Sequence, residues 1–234
     1  MSGRDFPENM WKAIFPAILM LLATAGTVRS ETIAPAGAPV SKELKHVLDR
    51  LQRHYRDTRS FSAKFSEEIA TVGAPKRKRQ GTVSFRKPGR MRWEFGAPEV
   101  QTIVSDGETL YSYDPDLNQV VETPLKQALK SSSATSFLLG IGNLNRDFKA
   151  AFASPVTPTG PIDLILDAKA GGYKIAVGLD PKTYNLITLT LTDQLGDTTR
   201  IDFSDVRDNV ELPDSIFAFK APAGADVVTA PASP

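Results

Sequence analysis

The chain has 234 residues and a formal net charge of +1, and it contains no cysteine. A balance this even supplies no field to draw in a polyanion, which excludes nucleic acid as the expected partner; the missing thiols exclude disulfide stapling and a lipid-modified cysteine. The length is enough to enclose a sizeable core, and the 12 phenylalanines supply apolar area suited to lining an interior.

Residues 1–30 read as a signal peptide. Arg4 and Lys12 precede the apolar run 13–23, which is short against the ~20 residues of a bilayer span and is followed by small residues. Cleavage is expected after Ala25 or Ser30, with an uncleaved anchor as the alternative. Losing this segment removes Arg4, Lys12 and Arg29 together with Asp5 and Glu8, which leaves the two signs of charge equal. Residues 31–40, rich in Ala and Pro, form a flexible leader. From Ser41, a plausible N-cap, the spacing of Leu44, Val47, Leu48, Leu51 and Tyr55 predicts a helix with one apolar stripe, lying on or across a sheet.

Residues 60–70 switch to period two, with Phe61, Ala63, Phe65 and Ile69 on one face and Glu67 interrupting that face near its end. Residues 71–80, with the basic run Lys76, Arg77, Lys78 and Arg79, are expected to be a hairpin loop. The stretch 81–116 organises the rest. Phe85, Met91, Trp93 and Phe95 alternate with wetter residues, Lys87-Pro88-Gly89 turns the chain, and Ser105-Asp106-Gly107 turns it again between two β-prone segments. A consecutive antiparallel meander results, with one more strand at 118–123.

Residues 125–152 have helical spacing in pieces, interrupted by Ser131-Ser132-Ser133, Gly140 and Gly142, and predict short helices with weak joints. Strands resume at 162–167, 173–179, 184–192 and 198–203; residues 213–217 form a turn or a single helical turn, and 217–219 a last strand. The expected fold is mainly β: about ten or eleven antiparallel strands in a strongly curved sheet or barrel, with two helical inserts.

These residues resemble the LolA family of outer-membrane lipoprotein carriers. The resemblance rests on Ser60-Phe61-Ser62-Ala63-Lys64-Phe65, on the basic-Pro-Gly-basic segment from Phe85 to Trp93, on Ile103-Val104-Ser105-Asp106-Gly107, on Leu110-Tyr111-Ser112-Tyr113-Asp114-Pro115, and on the closing run from Phe217 to Val228. It covers residues 41–228, leaving 229–234 as a disordered tail. It implies an incomplete, unclosed antiparallel β-barrel, concave and apolar inside and covered by a lid of short α-helices. It also implies a periplasmic chaperone with no catalytic residues and no cofactor. Its expected partners are outer-membrane lipoproteins, an inner-membrane lipoprotein-releasing ABC transporter and an outer-membrane acceptor, and it is expected to work as a monomer. A lipid-binding or lipoprotein-sensing protein of the same fold is the alternative within binding proteins, and a periplasmic hydrolase with carboxylates inside the barrel is the alternative from another class.

The resemblance makes Phe61, Phe65, Phe85, Met91, Trp93 and Phe95 the candidate lipid-contacting wall, against an ordinary packed core. Met suits a surface that must fit varied chains. Lys87 stands where family members carry an Arg that bonds lid-helix carbonyls, and a Lys there departs from the family pattern, loosening the latch or moving it to another residue; Arg86 beside it falls on the opposite face, and the alternative is two solvated basic residues beside a turn. Leu138, Leu139 and Ile141 are the candidate underside of the lid. The Lys76 to Arg79 run is read as a solvated loop or as a docking patch for the transporter or anionic headgroups. Asp114-Pro115-Asp116-Leu117-Asn118 imitates a calcium loop without its Gly and its bidentate Glu, and His46 and His54 lack a third ligand, so no metal site is expected. Glu67 and Glu68 fall on opposite faces of one strand and do not form a carboxylate pair.

Overall fold

A computed structural model describes residues 41–130, 144–157, 159–169 and 174–230. Helix α1 (Lys42–Asp57) begins where the Ser41 hydroxyl accepts from the amide of Leu44 at 3.1 Å, satisfying one of the free N–H groups of the first turn. It ends at Thr58, whose amide and hydroxyl both donate to the carbonyl of His54. Its stripe of Leu44, Val47, Leu48, Leu51 and Tyr55 is buried.

Twelve strands among the described residues form one sheet. In chain order they are β1 (Ser60–Ala70), β2 (Arg77–Arg86), β3 (Arg90–Phe95), β4 (Gln101–Asp106), β5 (Thr109–Asp114), β6 (Gln119–Pro124), β7 (Phe148–Phe152), β8 (Ile162–Ala168), β9 (Lys174–Leu179), β10 (Leu186–Thr192), β11 (Thr198–Asp208) and β12 (Asp226–Thr229). The sheet order is β12-β6-β5-β4-β3-β2-β1-β11-β10-β9-β8-β7, so β12 and β7 are its edges and the barrel is unclosed. Strand β1 joins the two meanders, pairing with β2 on one side and β11 on the other. Its register with β11 shifts between Ser62 and Lys64, where Asp205 takes φ of 52°. A bulge of this kind bends and twists the long central pair, which curls the sheet.

The concave face carries the core. Apolar residues of α1, β1–β5 and β7–β11 form one cluster together with Leu144 of the short helix α3 (Leu144–Asp147). Gln52 on α1 accepts from the amide of Leu144 at 2.8 Å, and the buried Tyr55 hydroxyl accepts from the amide of Leu186 at 3.2 Å, so α1 is tied to both α3 and β10. Helix α2 (Leu125–Lys130) follows β6 directly and buries Leu125 and Ala128. No helix among the described residues is long and apolar enough to cross a membrane.

Several sequence expectations change. The strands number twelve, more than the ten or eleven expected, because two lie in segments with other signals. Residues 148–152 are the edge strand β7, although Phe148 and Phe152 have helical spacing; they pair with β8, and four residues of helix precede them. Arg77, Lys78, Arg79 and Gln80 extend β2 and pair with β1, which shortens the expected hairpin loop. Residues 217–219 form no strand. The chain makes a 3-10 turn at Asp214–Phe217, crosses the convex face, and then forms β12, which pairs with β6 in parallel.

That crossing segment is fastened strand by strand. Asn209 bonds the backbone of Arg59 and Ser60, Arg86 on β2 donates to the Leu212 carbonyl, and Arg92 on β3 donates to the Ile216 carbonyl at 3.1 Å. Phe217 is buried beneath Arg86, and Phe219 stacks on Tyr111 of β5 with ring centroids 5.1 Å apart.

Candidate functional site

The six proposed wall residues come together on the concave face of β1, β2 and β3. Register places Phe61 opposite Phe85 and Phe85 opposite Met91, while Phe65 lies opposite Gly81 and Gly81 opposite Phe95. Phe61 and Phe85 stack at 4.8 Å; Phe65 meets Trp93 at 4.8 Å and Phe95 at 5.1 Å, both edge-on. Edge-to-face packing sets the positive rim of one ring against the negative face of the next. Gly81 is what lets the strands close up there: a Cβ at that position would stand 1.8 Å from the carbonyl oxygen of Glu94 and 3.0 Å from the Phe65 ring. Five of the six side chains are buried, Met91 to 1 % exposure, and Phe61 is half-buried at the margin.

Two clefts open where that margin meets the end of α1. One, with room for no more than a water molecule (≈ 10 Å³), is lined by Tyr55, Phe61, Asn185, Leu186, Phe203, Val206 and Asp208. The other, equally small (≈ 10 Å³), is lined by Tyr55, Thr58, Arg59, Ser60, Phe61, Phe85, Arg86 and Lys87. Tyr55 and Phe61 border both.

Lys87 borders the second of these clefts. Its ammonium donates to the carbonyl of Tyr55, and also to that of Arg56 at 3.3 Å, so it closes the C-terminal turn of α1, where a cation is favoured by the helix dipole. Burial pushes its pKa down, and the nearby Asp57 carboxylate works against that shift. Arg86 faces the other side of the sheet, as alternation requires, and pairs with Asp214 in the crossing segment. Leu138, Leu139 and Ile141 lie outside the described residues, as do residues 1–30 and the joints at Gly140 and Gly142.

The basic run divides. Lys76 and Lys78 reach Glu68 at 2.7 and 3.5 Å, Arg77 reaches Glu99 at 3.5 Å, and all three stay exposed. Arg79 turns inward and meets Glu67 at 2.6 Å, both side chains under a tenth exposed. Desolvation pushes the Glu67 carboxyl above its ordinary range, and the Arg79 guanidinium restrains that rise. Arg79 also donates to Gln101 at 3.2 Å, and Gln101 to Ser112 at 3.1 Å. The sequence signal for this network is Glu67 at an apolar position; its partner can be found only once the hairpin register is known.

The calcium-like segment is a turn between β5 and β6, in which Asp114 accepts from the amides of Asp116 and Leu117 at 2.9 and 3.2 Å. His54 lies 3.8 Å from Asp208 and edge-on to Tyr55. Among the described residues no group of three or more ligand side chains could hold a metal ion.

Residues 56–220 match the family model for the outer membrane lipoprotein carrier protein LolA. An outer-membrane lipoprotein carrier protein of Dechloromonas aromatica is 33% identical over 214 residues, covering 91% of this chain and 92% of its own. One from Chromobacterium violaceum is 32% identical over 220 residues, covering 93% and 98%. Among solved structures, an uncharacterized conserved protein from Thermus thermophilus shares the fold with a TM-score of 0.53 at 14% identity, over 81% of this chain and 100% of its own. The relatives carry the name of a carrier and not of an enzyme, and the chain belongs to the LolA family of outer membrane lipoprotein carrier proteins.

Proposed function

We propose that this chain is a periplasmic carrier that receives acylated lipoproteins from an inner-membrane ABC transporter, shields their acyl chains against the concave face of the sheet and delivers them to the outer membrane. The observation that carries this reading is the continuous apolar face of Phe61, Phe65, Phe85, Met91, Trp93 and Phe95, beside clefts that open at its margin. The physics of the cargo sets the terms. Each methylene withdrawn from water is worth ~0.8 kcal/mol, so three long chains represent on the order of 30 kcal/mol of transfer free energy. Noncovalent binding saturates near roughly −18 to −21 kcal/mol. A carrier can therefore hold such a cargo but cannot strip it from a bilayer unaided, and the donor must use energy.

The chain has two tryptophans, Trp11 in the expected signal segment and Trp93 in the wall. With Trp11→Phe, Trp93 becomes a single reporter of the concave face. Lipopeptides with brominated acyl chains are expected to quench it saturably, and acylated proteins are expected to copurify from detergent-free periplasm. Fluorescence indifferent to these lipopeptides, with no acylated protein copurifying, overturns the reading.

A further inference from the structure

Charge is unevenly placed on this molecule. Helix α1 and the two residues after it carry Lys42, Lys45, Arg50, Arg53, Arg56 and Arg59 against Glu43, Asp49 and Asp57, so the rest of the expected mature chain holds the matching acidic excess. All six basic residues are exposed. The helix turns its stripe of Leu44, Val47, Leu48, Leu51 and Tyr55 into the core; at about 100° per residue, Lys42 and Arg53 fall at the centre of the opposite face, flanked by Lys45, Arg50 and Arg56. Lys45 pairs with Asp49 at 2.7 Å and Arg56 with Asp57 at 2.9 Å. Among the described residues no carboxylate stands within ion-pair reach of Lys42, Arg50, Arg53 or Arg59. Neighbouring elements do not cancel the excess. On α3 Arg146 pairs with Asp147 at 2.6 Å, Lys169 donates to the Asn145 carbonyl at 3.0 Å, and Asp208 is balanced at the far end by Lys87 on the last turn of α1.

The other basic run of the chain is largely matched within the protein. Lys76 and Lys78 share Glu68, Arg77 has Glu99, and Arg79 is buried with Glu67. The unmatched charge therefore lies on α1 and not on the run that stands out in the sequence. Its chemistry narrows the partner. None of the large hydrophobic residues exposed among the described residues lies on α1. A specific protein interface needs desolvated anchors seated in pockets, most often aromatic. The outer face of α1 offers instead a row of long, solvated cationic side chains on a rod about 24 Å long. Such a row suits a surface whose negative charges can rearrange beneath it, which is a bilayer containing anionic phospholipid. Each Lys or Arg near such a surface raises partitioning roughly fivefold, so an excess of three gives on the order of a hundredfold over a neutral bilayer. The attraction fades beyond a Debye length of about 8 Å, which keeps the contact reversible.

We propose that the outer face of α1 is an electrostatic docking surface for anionic phospholipid headgroups, a contact that goes beyond the carriage of acyl chains and does not depend on it. The helix lies along the bilayer with Lys42 and Arg53 toward the phosphates. Its apolar stripe stays in the core, so nothing inserts. The same orientation brings the last turn of α1 to the headgroups, with Arg59 and Lys87 of the second cleft beside it.

The test floats the protein, purified from periplasm in its exported form, with vesicles of phosphatidylcholine alone or mixed with phosphatidylglycerol. Partitioning is expected to be on the order of a hundredfold stronger on the anionic vesicles at low salt and to fall steadily as salt is added. Equal partitioning onto the two vesicle types, or a preference that salt leaves unchanged, overturns the proposal without any variant; an acidic protein is then the partner left for this face. Lys42→Glu/Arg53→Glu is expected to lower binding to the level seen on neutral vesicles. Lys76→Glu/Lys78→Glu changes the net charge equally and is expected to keep most of it. Parent-like binding by the first variant, or the same loss in both, overturns the assignment to α1. The carrier reading is tested apart from this by quenching of Trp93 with brominated lipopeptides, which Lys42→Glu/Arg53→Glu should leave intact.

Discussion

Lys87 closes the last turn of α1 by donating from its ammonium to the backbone carbonyl of Tyr55, a residue whose own hydroxyl is fastened to the amide of Leu186 on β10. One side chain from the β2–β3 turn thus holds a helix that the far half of the sheet also holds, and both clefts lie along that seam. Removing the ammonium frees the seam on one side only. Lys87→Leu is expected to cost about 1 kcal/mol, below the usual value for a charged hydrogen bond because the group is partly exposed. Amide exchange at residues 55–58 should speed up, and Lys87→Arg should restore both. If the seam gates the cargo, lipoprotein release from Lys87→Leu differs from wild type; unchanged release clears Lys87 of that role.

Met91 is nearly inaccessible, which separates two substitutions. Met91→Leu conserves volume and should cost less than about 1.5 kcal/mol, with lipopeptide binding close to wild type. Met91→Glu places a carboxylate with no partner among Phe85, Trp93 and their neighbours and should cost several kcal/mol, seen as a lower denaturation midpoint. A Met91→Glu chain of undiminished stability would show that this wall is already open to water.

How far all this is legible in the chain depends on range. The central meander is plain, because Phe85, Met91, Trp93 and Phe95 alternate cleanly and Ser105-Asp106-Gly107 marks its own turn; those signals span a few residues. Arg79 reads as part of a loop because Lys76, Arg77 and Lys78 beside it are solvated, and nothing local distinguishes it. Only the pairing of Glu67 with Arg79 across the hairpin turns it inward. Strand β7 escapes a local reading since Phe148 and Phe152 fit either period over five residues, and pairing with β8 decides between them. The parallel strand β12 is beyond such a reading, for it depends on a crossing of the convex face fixed by contacts to Arg86, Arg92 and Tyr111, all about a hundred residues earlier.

The buried Glu67–Arg79 pair makes a stability prediction independent of any ligand. Arg79→Leu alone leaves Glu67 buried without its counter-charge and should cost about 3–5 kcal/mol. Adding Glu67→Leu should recover most of that loss, since the two apolar side chains then pack where the ion pair stood. Urea denaturation of both single variants and the double variant gives the coupling directly. A double variant no more stable than Arg79→Leu would mean that the charges, and not their burial, hold this end of the sheet together.

Asp214 fastens the crossing segment to the convex face, and its titration gives the last prediction. Hydrogen bonding to Arg86 and then to Arg90 holds its carboxyl below the ordinary value of 3.8. An acid depressed in the folded state contributes fully above its ordinary value and loses that contribution as pH falls through the folded-state value. The fastening should therefore be constant from neutral pH down to about pH 4 and weaken below it. Asp214→Asn should show the acid-side behaviour at neutral pH: faster amide exchange through residues 209–217, with α1 and the wall unchanged. High salt should weaken the wild-type contact toward the variant, because the carboxylate is exposed and its attraction to both arginines is screened. If residues 209–217 are equally protected in Asp214→Asn and wild type at neutral pH, then Phe217 beneath Arg86 and Phe219 against Tyr111 hold the segment without the charge.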